Sequence, residues 1–454
     1  MKLKFLGGTR TVTGVKFLIE AKSKARKIIR ILIDCGMVQG ERKTREENYK
    51  DFSFNPSEID YLLITHAHID HIGLLPKLYK DGFRGKIFAT PPTIDLARLT
   101  LEDSQGILER EAREINRESL YQKEDIDGAL TLVKAAGYKR KRKLADNIYF
   151  QFREAGHILG SAIIELWAER KKIVFSGDLG NAPIPLLSPP AKIRKADYIL
   201  IESTYGNRIH EDRKERKELL ENTIEDTFSK RGVLIIPIFA IERTQELLCE
   251  LNELVENNRI PRLPIFIDSP LAIKATQVYK KYSDYFNRQA SRLIKKGDDL
   301  FKFPGLILTE KVEESKGINR VSPPKIIIAG SGMSTGGRVL FHEKIYLPNS
   351  NNSLLLINFQ VKGTLGRQIS EGAKEVEIFN ERVPVRARII SISGYSSHAD
   401  QQDLYNWLAN FSKPIKQIFV VHGEEEASMS LAQRVRDHLG IGASAPSLGK
   451  VVEL

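Results

Sequence analysis

Six consecutive residues, His66-Ala67-His68-Ile69-Asp70-His71, carry three imidazoles and a carboxylate directly after the apolar run Tyr61-Leu62-Leu63-Ile64-Thr65. The apolar run predicts a strand, so the donors fall in the loop at its end. Imidazole and carboxylate suit Zn²⁺. Alternate residues of a tight loop can aim His66 and His68 at one ion while Asp70 and His71 face a second. The chain holds only nine histidines in 454 residues. Three of them in six positions point to a metal site rather than a solvated polar loop.

Two further donors share this kind of address. His157 lies in Ala155-Gly156-His157-Ile158-Leu159-Gly160-Ser161, between two predicted strands, and Asp178 lies in Phe175-Ser176-Gly177-Asp178-Leu179-Gly180, just after one. Glycine lets the backbone come close to an ion or substrate and lets a short side chain point into a cleft. A buried histidine and a turn aspartate are the ordinary readings of each alone. Beside the first cluster both read as ligands.

The elements that must position these donors come in two styles. Leu3 to Leu6, Val15 to Glu20 and Ile28 to Asp34 are short apolar runs that predict strands. A helix is expected at Ile72 to Lys80 and a strand at Lys86 to Ala89. Residues 93–134 carry helical periodicity, broken near Asp125 to Asp127, and strands resume at Ile148 to Arg153, Ala162 to Ala168 and Lys172 to Ser176. Beyond Ser203 helices and strands alternate: helix 213–229, strand 232–237, helix 242–256, strand 264–267, a helix from Leu271 and a strand at 325–329. That alternation predicts a parallel sheet with covering helices. From about Gly372 short strands return, including Ala387 to Ile392 and Gln417 to Val421, each followed by a histidine.

Composition narrows the setting. With 41% hydrophobic and 28% charged residues the chain can bury a large core, and its length suggests two or three domains. Two cysteines far apart, Cys35 and Cys249, argue against a disulfide framework or a thiolate metal site and fit a reducing compartment. No apolar run reaches the roughly 18 residues of a membrane span and no signal peptide is expected, so a soluble, cytoplasmic protein is predicted. The formal net charge of +12 favours a polyanionic partner. Its densest patch is Lys139-Arg140-Lys141-Arg142-Lys143, which reads either as a solvated loop or as a phosphate contact.

The ordered set His66-x-His68-x-Asp70-His71, His157 and Asp178 resembles the metallo-β-lactamase superfamily. Glu202 in Leu200-Ile201-Glu202-Ser203-Thr204-Tyr205-Gly206, His398 in Ser393-Gly394-Tyr395-Ser396-Ser397-His398-Ala399-Asp400 and His422 in Val421-His422-Gly423-Glu424 are similar to the extra motifs of its nucleic-acid-processing branch, called β-CASP. The histidine at 422, where DNA-repair members carry valine, places the likeness on the RNA-processing side. The resemblance covers essentially the whole chain. It implies an α/β fold, an αββα sandwich formed by residues 1–204 and 372–454, with an α/β β-CASP domain inserted at 205–371. Neither an amino-terminal RNA-binding module nor a long carboxy-terminal domain is expected.

The same resemblance assigns roles. His66, His68 and His157 would hold one zinc, Asp70, His71 and His422 the other, and Asp178 would bridge them, with Mn²⁺ as the alternative ion. Asp34, ending Ile31-Leu32-Ile33-Asp34, would fix a ligand by hydrogen bonding. Zinc lowers the pKa of bound water to about 7, Asp70 and Asp178 would orient the attacking water, and His398, oriented by Glu202, would protonate the leaving alkoxide. The glycine-rich run Gly330-Ser331-Gly332-Met333-Ser334-Thr335-Gly336-Gly337 after a strand can present N–H groups to phosphate, with Ser331 and Gly332 at its start. Gly363-Thr364-Leu365-Gly366-Arg367 resembles another β-CASP signature, making Lys362 and Arg367 candidates for backbone phosphates, and Arg243 is a weaker one. The expected protein is a zinc-dependent ribonuclease cutting single-stranded RNA in a cleft under the inserted domain. Endonuclease is favoured over exonuclease, and a homodimer is compatible with the family. A small-molecule thioesterase or lactonase and a non-catalytic RNA-binding subunit are the competing readings.

Overall fold

The computed structural model describes residues 1–40, 42–181, 184–210, 213–412 and 414–454. Its contacts divide the chain into two compact units, one of residues 1–182, 188–209 and 398–454 and one of residues 183–187 and 210–397.

The first unit contains two seven-stranded sheets. One runs in the order Val451–Glu453, Lys2–Gly7, Lys16–Lys22, Ile28–Ile33, Tyr61–Leu63, Lys86–Ala89 and Val133–Ala135. The other runs Ala443–Ser444, Gln417–Val420, Tyr198–Ile201, Lys171–Phe175, Ala162–Ala168, Ile148–Glu154 and Arg142–Ala145. Alternation along the strands decides what each face does. Ile148, Phe150 and Phe152, with Ile164 and Leu166, face the first sheet and share a core with Leu3, Phe5, Phe17 and Ile31. Phe5 meets Phe419 across this core at 5.3 Å between ring centroids, and Phe17 meets Phe175 at 6.4 Å.

The second sheet's outer face carries Ile163, Val174, Ile199 and Ile201, packed with Leu404 and Trp407 of helix Gln401–Ala409 and Leu431 and Val435 of helix Glu425–Leu439. Leu18, Leu32 and Leu62, on the first sheet's other face, are also fully buried, on the side of the helices that connect its parallel strands.

Two helices depart from expectation. The helix expected over Ile72 to Lys80 is two, Ile69–Ile72 and Leu75–Lys80, because Pro76 sits in the first turn of a new helix. The break expected at Asp125 to Asp127 lies instead between Pro91–Glu114 and Lys123–Thr131. Asp125 closes a capping box, its carboxylate accepting the Gln122 N–H at 2.8 Å, so it starts a helix rather than interrupting one.

In the second unit a six-stranded sheet runs Leu306–Leu308, Ile265–Asp268, Lys325–Ala329, Val233–Pro237, Ser353–Leu356 and Arg388–Ser391, with every neighbouring pair parallel. Helices Arg213–Ser229, Arg243–Glu256, Pro270–Lys281 and Val339–Tyr346 alternate with the strands, as the β/α pattern predicts. The unit does not end at 371. Arg388–Ser391 pairs with Ser353–Leu356, and the hairpin Glu375–Ile378 with Glu381–Pro384 buries Val376, Ile378 and Val383 in the same core. The short strands between Gly372 and Ile392 therefore complete this unit, whereas Gln417–Val420 belongs to the first. Among the described residues no helix is long and apolar enough to cross a membrane.

Candidate metal centre

All seven expected metal donors come together within the first unit, each at the carboxyl end of a strand or in the loop that follows. His66 and His68 follow strand Tyr61–Leu63, and Asp70 and His71 lie in the short helix Ile69–Ile72. His157 occupies the loop between strands Ile148–Glu154 and Ala162–Ala168, Asp178 follows Lys171–Phe175, and His422 follows Gln417–Val420. His422 takes a left-handed backbone, φ 48°, with its N–H on the Gly8 carbonyl at 2.7 Å. A histidine in that region is strained and is held there by its surroundings.

The donor atoms form two sets around one carboxylate. His66 Nε2 and His157 Nε2 each lie 3.1 Å from His68 Nδ1, and both lie 3.4–3.5 Å from Asp178 Oδ2. His71 Nε2 is 3.4 Å from the same oxygen, His422 Nε2 is 3.5 Å from Asp178 Oδ1, and both imidazoles are 3.7 Å from Asp70 Oδ2. Donors at the corners of a tetrahedron around Zn²⁺ stand about 3.4 Å apart when metal–nitrogen bonds are roughly 2.1 Å. The spacings are thus those of ligands sharing an ion. Asp178 is 2% exposed, and among the described residues neither of its oxygens has a hydrogen-bond partner, nor does His71 Nε2. Orphaned buried groups of this kind are costly unless something else satisfies them, and a cation fits both the position and the sign. One group can be drawn from His66, His68, His157 and Asp178, and a second from Asp70, His71 and His422.

The electrostatics of the donors differ from one to the next. Burial pushes His66 well below its ordinary value and His68 down to about 4, leaving both neutral with lone pairs to give. Burial also pulls His71 down, but Asp178, Asp70 and Asp34 outweigh it and raise it. For Asp178, burial raises the pKa and the imidazoles of His422, His71 and His66 reverse the effect, keeping it ionised.

Asp34 stands behind these donors. It is buried, left-handed at φ 57°, and its Oδ2 accepts from His71 Nδ1 at 2.8 Å. Its oxygens also take the Thr65 N–H and hydroxyl, each at 2.7 Å. With Nδ1 committed to Asp34, the lone pair of His71 sits on Nε2, facing Asp70 and Asp178. Gly36 allows the loop to approach, since a Cβ there would stand 1.5 Å from the Asp70 carbonyl oxygen.

His398 joins the same site. Its Nδ1 lies 3.2 and 3.3 Å from the two Glu202 oxygens and 3.9 Å from Asp178 Oδ2. Glu202 is itself fixed by the Leu179 N–H at 2.6 Å. Burial pulls His398 down, and Glu202, with help from Asp178 and Asp70, more than offsets this and raises it. The pair can hold a proton beside the metal donors. His398 is also near enough to Asp178 and His422 to be a ligand by distance.

The expected phosphate contacts belong to the second unit and fare differently. Arg243 is 3% exposed and pairs with Glu246 and the Tyr395 carbonyl, so it is an internal ion pair rather than an exposed phosphate contact. In the glycine-rich loop the N–H of Ser331 goes to Gly336, that of Ser334 to the Ser331 carbonyl and that of Thr335 to Ser331 Oγ. Those amides hold the loop's own shape instead of facing a ligand. Gly332 is buried, its carbonyl taken by Gln360 at 3.0 Å. Lys362 is exposed, while Arg367 is tied to Glu371 at 2.6 Å.

Sequence reasoning missed three residues that shape the centre. Thr65 reads as the last residue of a strand, yet its hydroxyl lies 3.1 Å from His66 Nδ1 as well as on Asp34. Lys16, within the run expected as a strand, is buried, its ammonium bridging the Gly14 and Gly36 carbonyls at 3.0 and 2.9 Å. Ser161 Oγ accepts the His157 N–H at 3.1 Å and so forms the His157 loop. Only Ser161 carried a signal, a serine four residues after a histidine between glycines.

Comparison with known proteins agrees with this geometry. Residues 25–182 match a metallo-β-lactamase superfamily domain, residues 244–369 a β-CASP domain, and residues 382–446 a Zn-dependent metallo-hydrolase RNA specificity domain. A ribonuclease of Thermus thermophilus is 37% identical over 95% of this chain and 95% of its own length. An RNase J-like protein of Methanocaldococcus jannaschii is 34% identical over 100% of this chain and 99% of its own. The transcription termination factor FttA of Methanosarcina mazei is 30% identical over 98% of this chain and 70% of its own. A crystal structure of a protein of unknown function from Enterococcus faecalis shares the fold at a TM-score of 0.56 and 10% identity, over 100% of this chain and 99% of that one. With two relatives matched over nearly their entire lengths and the donors gathered as described, the chain belongs to the β-CASP family of the metallo-β-lactamase superfamily.

Proposed function

We propose that the chain is a metal-dependent ribonuclease that hydrolyses phosphodiester bonds of single-stranded RNA at a two-zinc centre, with endonucleolytic cleavage favoured. The observation that carries this reading is the gathering of six donors around Asp178 beside the His398–Glu202 pair. His66, His68 and His157 would hold one ion, Asp70, His71 and His422 the other, with Asp178 shared. Bound divalent ions would acidify water and draw charge from phosphate oxygens.

The chain's own residues supply the rest. Asp70 and Asp178 accept hydrogen bonds from the attacking water and fix its line of approach. The water gives one proton to the carboxylate of Asp70 or Asp178, and its oxygen bonds to phosphorus as the bond to the leaving oxygen breaks. His398 gives that oxygen a proton, and Glu202 keeps the imidazole charged and oriented until it does. The similarity to proteins named as ribonucleases supports RNA as substrate, and the net charge of +12 suits a polyanion. A small-molecule esterase would need neither.

The test runs a labelled single-stranded RNA beside a thioester and a lactone at equal concentrations of zinc-loaded enzyme. RNA should be cleaved, with DNA slower and duplex RNA resistant. Brisk ester turnover with intact RNA, across several metals and RNA sequences, overturns the reading while leaving the metal centre standing.

A further inference from the structure

The outer face of the second sheet of the first unit carries a feature that the metal centre does not use. The register places Lys143 opposite Tyr149, Tyr149 opposite Trp167, and Trp167 opposite Lys172, so four strands contribute one straight row. Their neighbours Ile148, Phe150, Leu166 and Ile173 lie in the inter-sheet core, and the row therefore faces the other way. Both rings remain partly exposed. Lys141 Nζ lies over both of them, 4.3 Å from the Trp167 ring and 4.9 Å from that of Tyr149, and Lys172 approaches Trp167 at 5.1 Å. Glu165, buried in the adjacent row, binds Lys172 and lies 3.5 Å from Arg153. Lys143 pairs with Asp146 at 2.7 Å, while Lys139, Arg140 and Lys141 stand in solvent.

We propose that this row, with Arg140 and Lys141 beside it, is a docking platform for single-stranded RNA apart from the metal centre. Two partly exposed aromatic rings, with cations over and beside them, offer stacking surface to bases and charge to a phosphate backbone. Trp167 lies five residues along its strand from Ala162, next to the His157 loop, or roughly 17 Å at about 3.3 Å per residue. An RNA long enough to reach the metals from here is held at both places, so the platform favours long RNA over short by raising effective concentration. The choice of RNA as occupant rests on the ribonuclease reading, and charge complementarity supports it.

The test uses the zinc-loaded full chain. Of the two tryptophans, Trp407 is buried under the second sheet, so Trp407→Phe leaves Trp167 as reporter. A 2′-O-methyl oligouridine of about 30 nucleotides should quench it, and Trp167→Phe should bind this RNA better than Trp167→Ala. Replacing the exposed Arg140, Lys141 and Lys143 together with alanine should flatten the salt dependence by about 0.7 for each phosphate no longer neutralised. It should also raise KM about tenfold for a cleavable RNA of about 30 nucleotides, with kcat unchanged, while leaving kcat/KM for one of about 8 nucleotides unaltered. Unchanged Trp167 emission on binding, or equal losses on short and long RNA, would overturn the platform. Quenching without cleavage of any RNA would support the platform and count against the ribonuclease reading instead.

Discussion

Asp178 Oδ2 stands 3.4 Å from both His66 Nε2 and His71 Nε2, one donor from each set. If two ions share it as proposed, removing it would take a ligand from both at once, whereas removing an imidazole would take one from a single ion. Asp178→Ala should therefore lose most of both equivalents of zinc along with activity, as read by elemental analysis of protein purified without chelator. Full zinc content in that variant would sink the bridged arrangement. The late histidines need a sharper comparison, because distance alone allows either to be a ligand. His422 meets Asp70 and Asp178 through Nε2, whereas His398 spends Nδ1 on Glu202. His422→Ala should lower zinc content, while His398→Ala should keep both metals and slow cleavage by roughly 10²- to 10⁴-fold. Equal metal loss would remove His398 from its proton-donor role.

At the scale of elements, the centre depends on two loops stitched together. Val15 N–H binds the Asp70 carbonyl at 2.9 Å, Cys35 N–H that of His71 at 2.7 Å and Met37 N–H that of Ile69 at 3.0 Å. Asp34 sits in this seam, and Asp34→Asn tests its part. Asparagine tolerates the left-handed backbone, but its amide would donate to His71 Nδ1 and push the imidazole proton onto the metal-facing nitrogen. Affinity for the ion held with Asp70 and His422 should weaken about 10- to 100-fold in chelator competition; unaltered affinity would show that Asp34 only supports the fold. The ligands themselves were legible because they are crowded into short motifs. The second unit's sheet was legible because β/α alternation is local. What escaped the sequence depends on partners far along the chain. Arg243 looked available until Glu246 and the Tyr395 carbonyl enclosed it. The boundary at 372 failed because Arg388–Ser391 joins a sheet whose other strands precede it. Lys16 gave no sign, since what buries its ammonium is the fold of Gly14 and Gly36 around it.

At the scale of the molecule, the two units have different sources of stability, and this separates their responses. In the first, metal binding to the folded state adds stability by mass action. In the second, Asp268 is fully buried at a strand end and accepts from Thr309, Ser315, His342 and Arg338 at 2.6–2.8 Å. Burial alone would raise its pKa, but those donors outweigh it and hold the carboxyl down at about 2. A carboxyl lowered on folding stabilises above its unfolded value near 3.8 and loses that contribution as pH falls toward 2, on the order of 2 kcal/mol for a shift of this size. Asp268→Asn should cost stability at pH 7 and lessen the loss between about pH 4 and 2. Hydrogen exchange can assign each effect to its unit. Chelation at pH 7 should speed exchange chiefly around 66–73, 155–161 and 177–180, whereas Asp268→Asn should speed it chiefly in strands Ile265–Asp268 and Lys325–Ala329. Uniform acceleration throughout the chain in both cases would mean that the units unfold as one, and that neither the metals nor Asp268 stabilise locally.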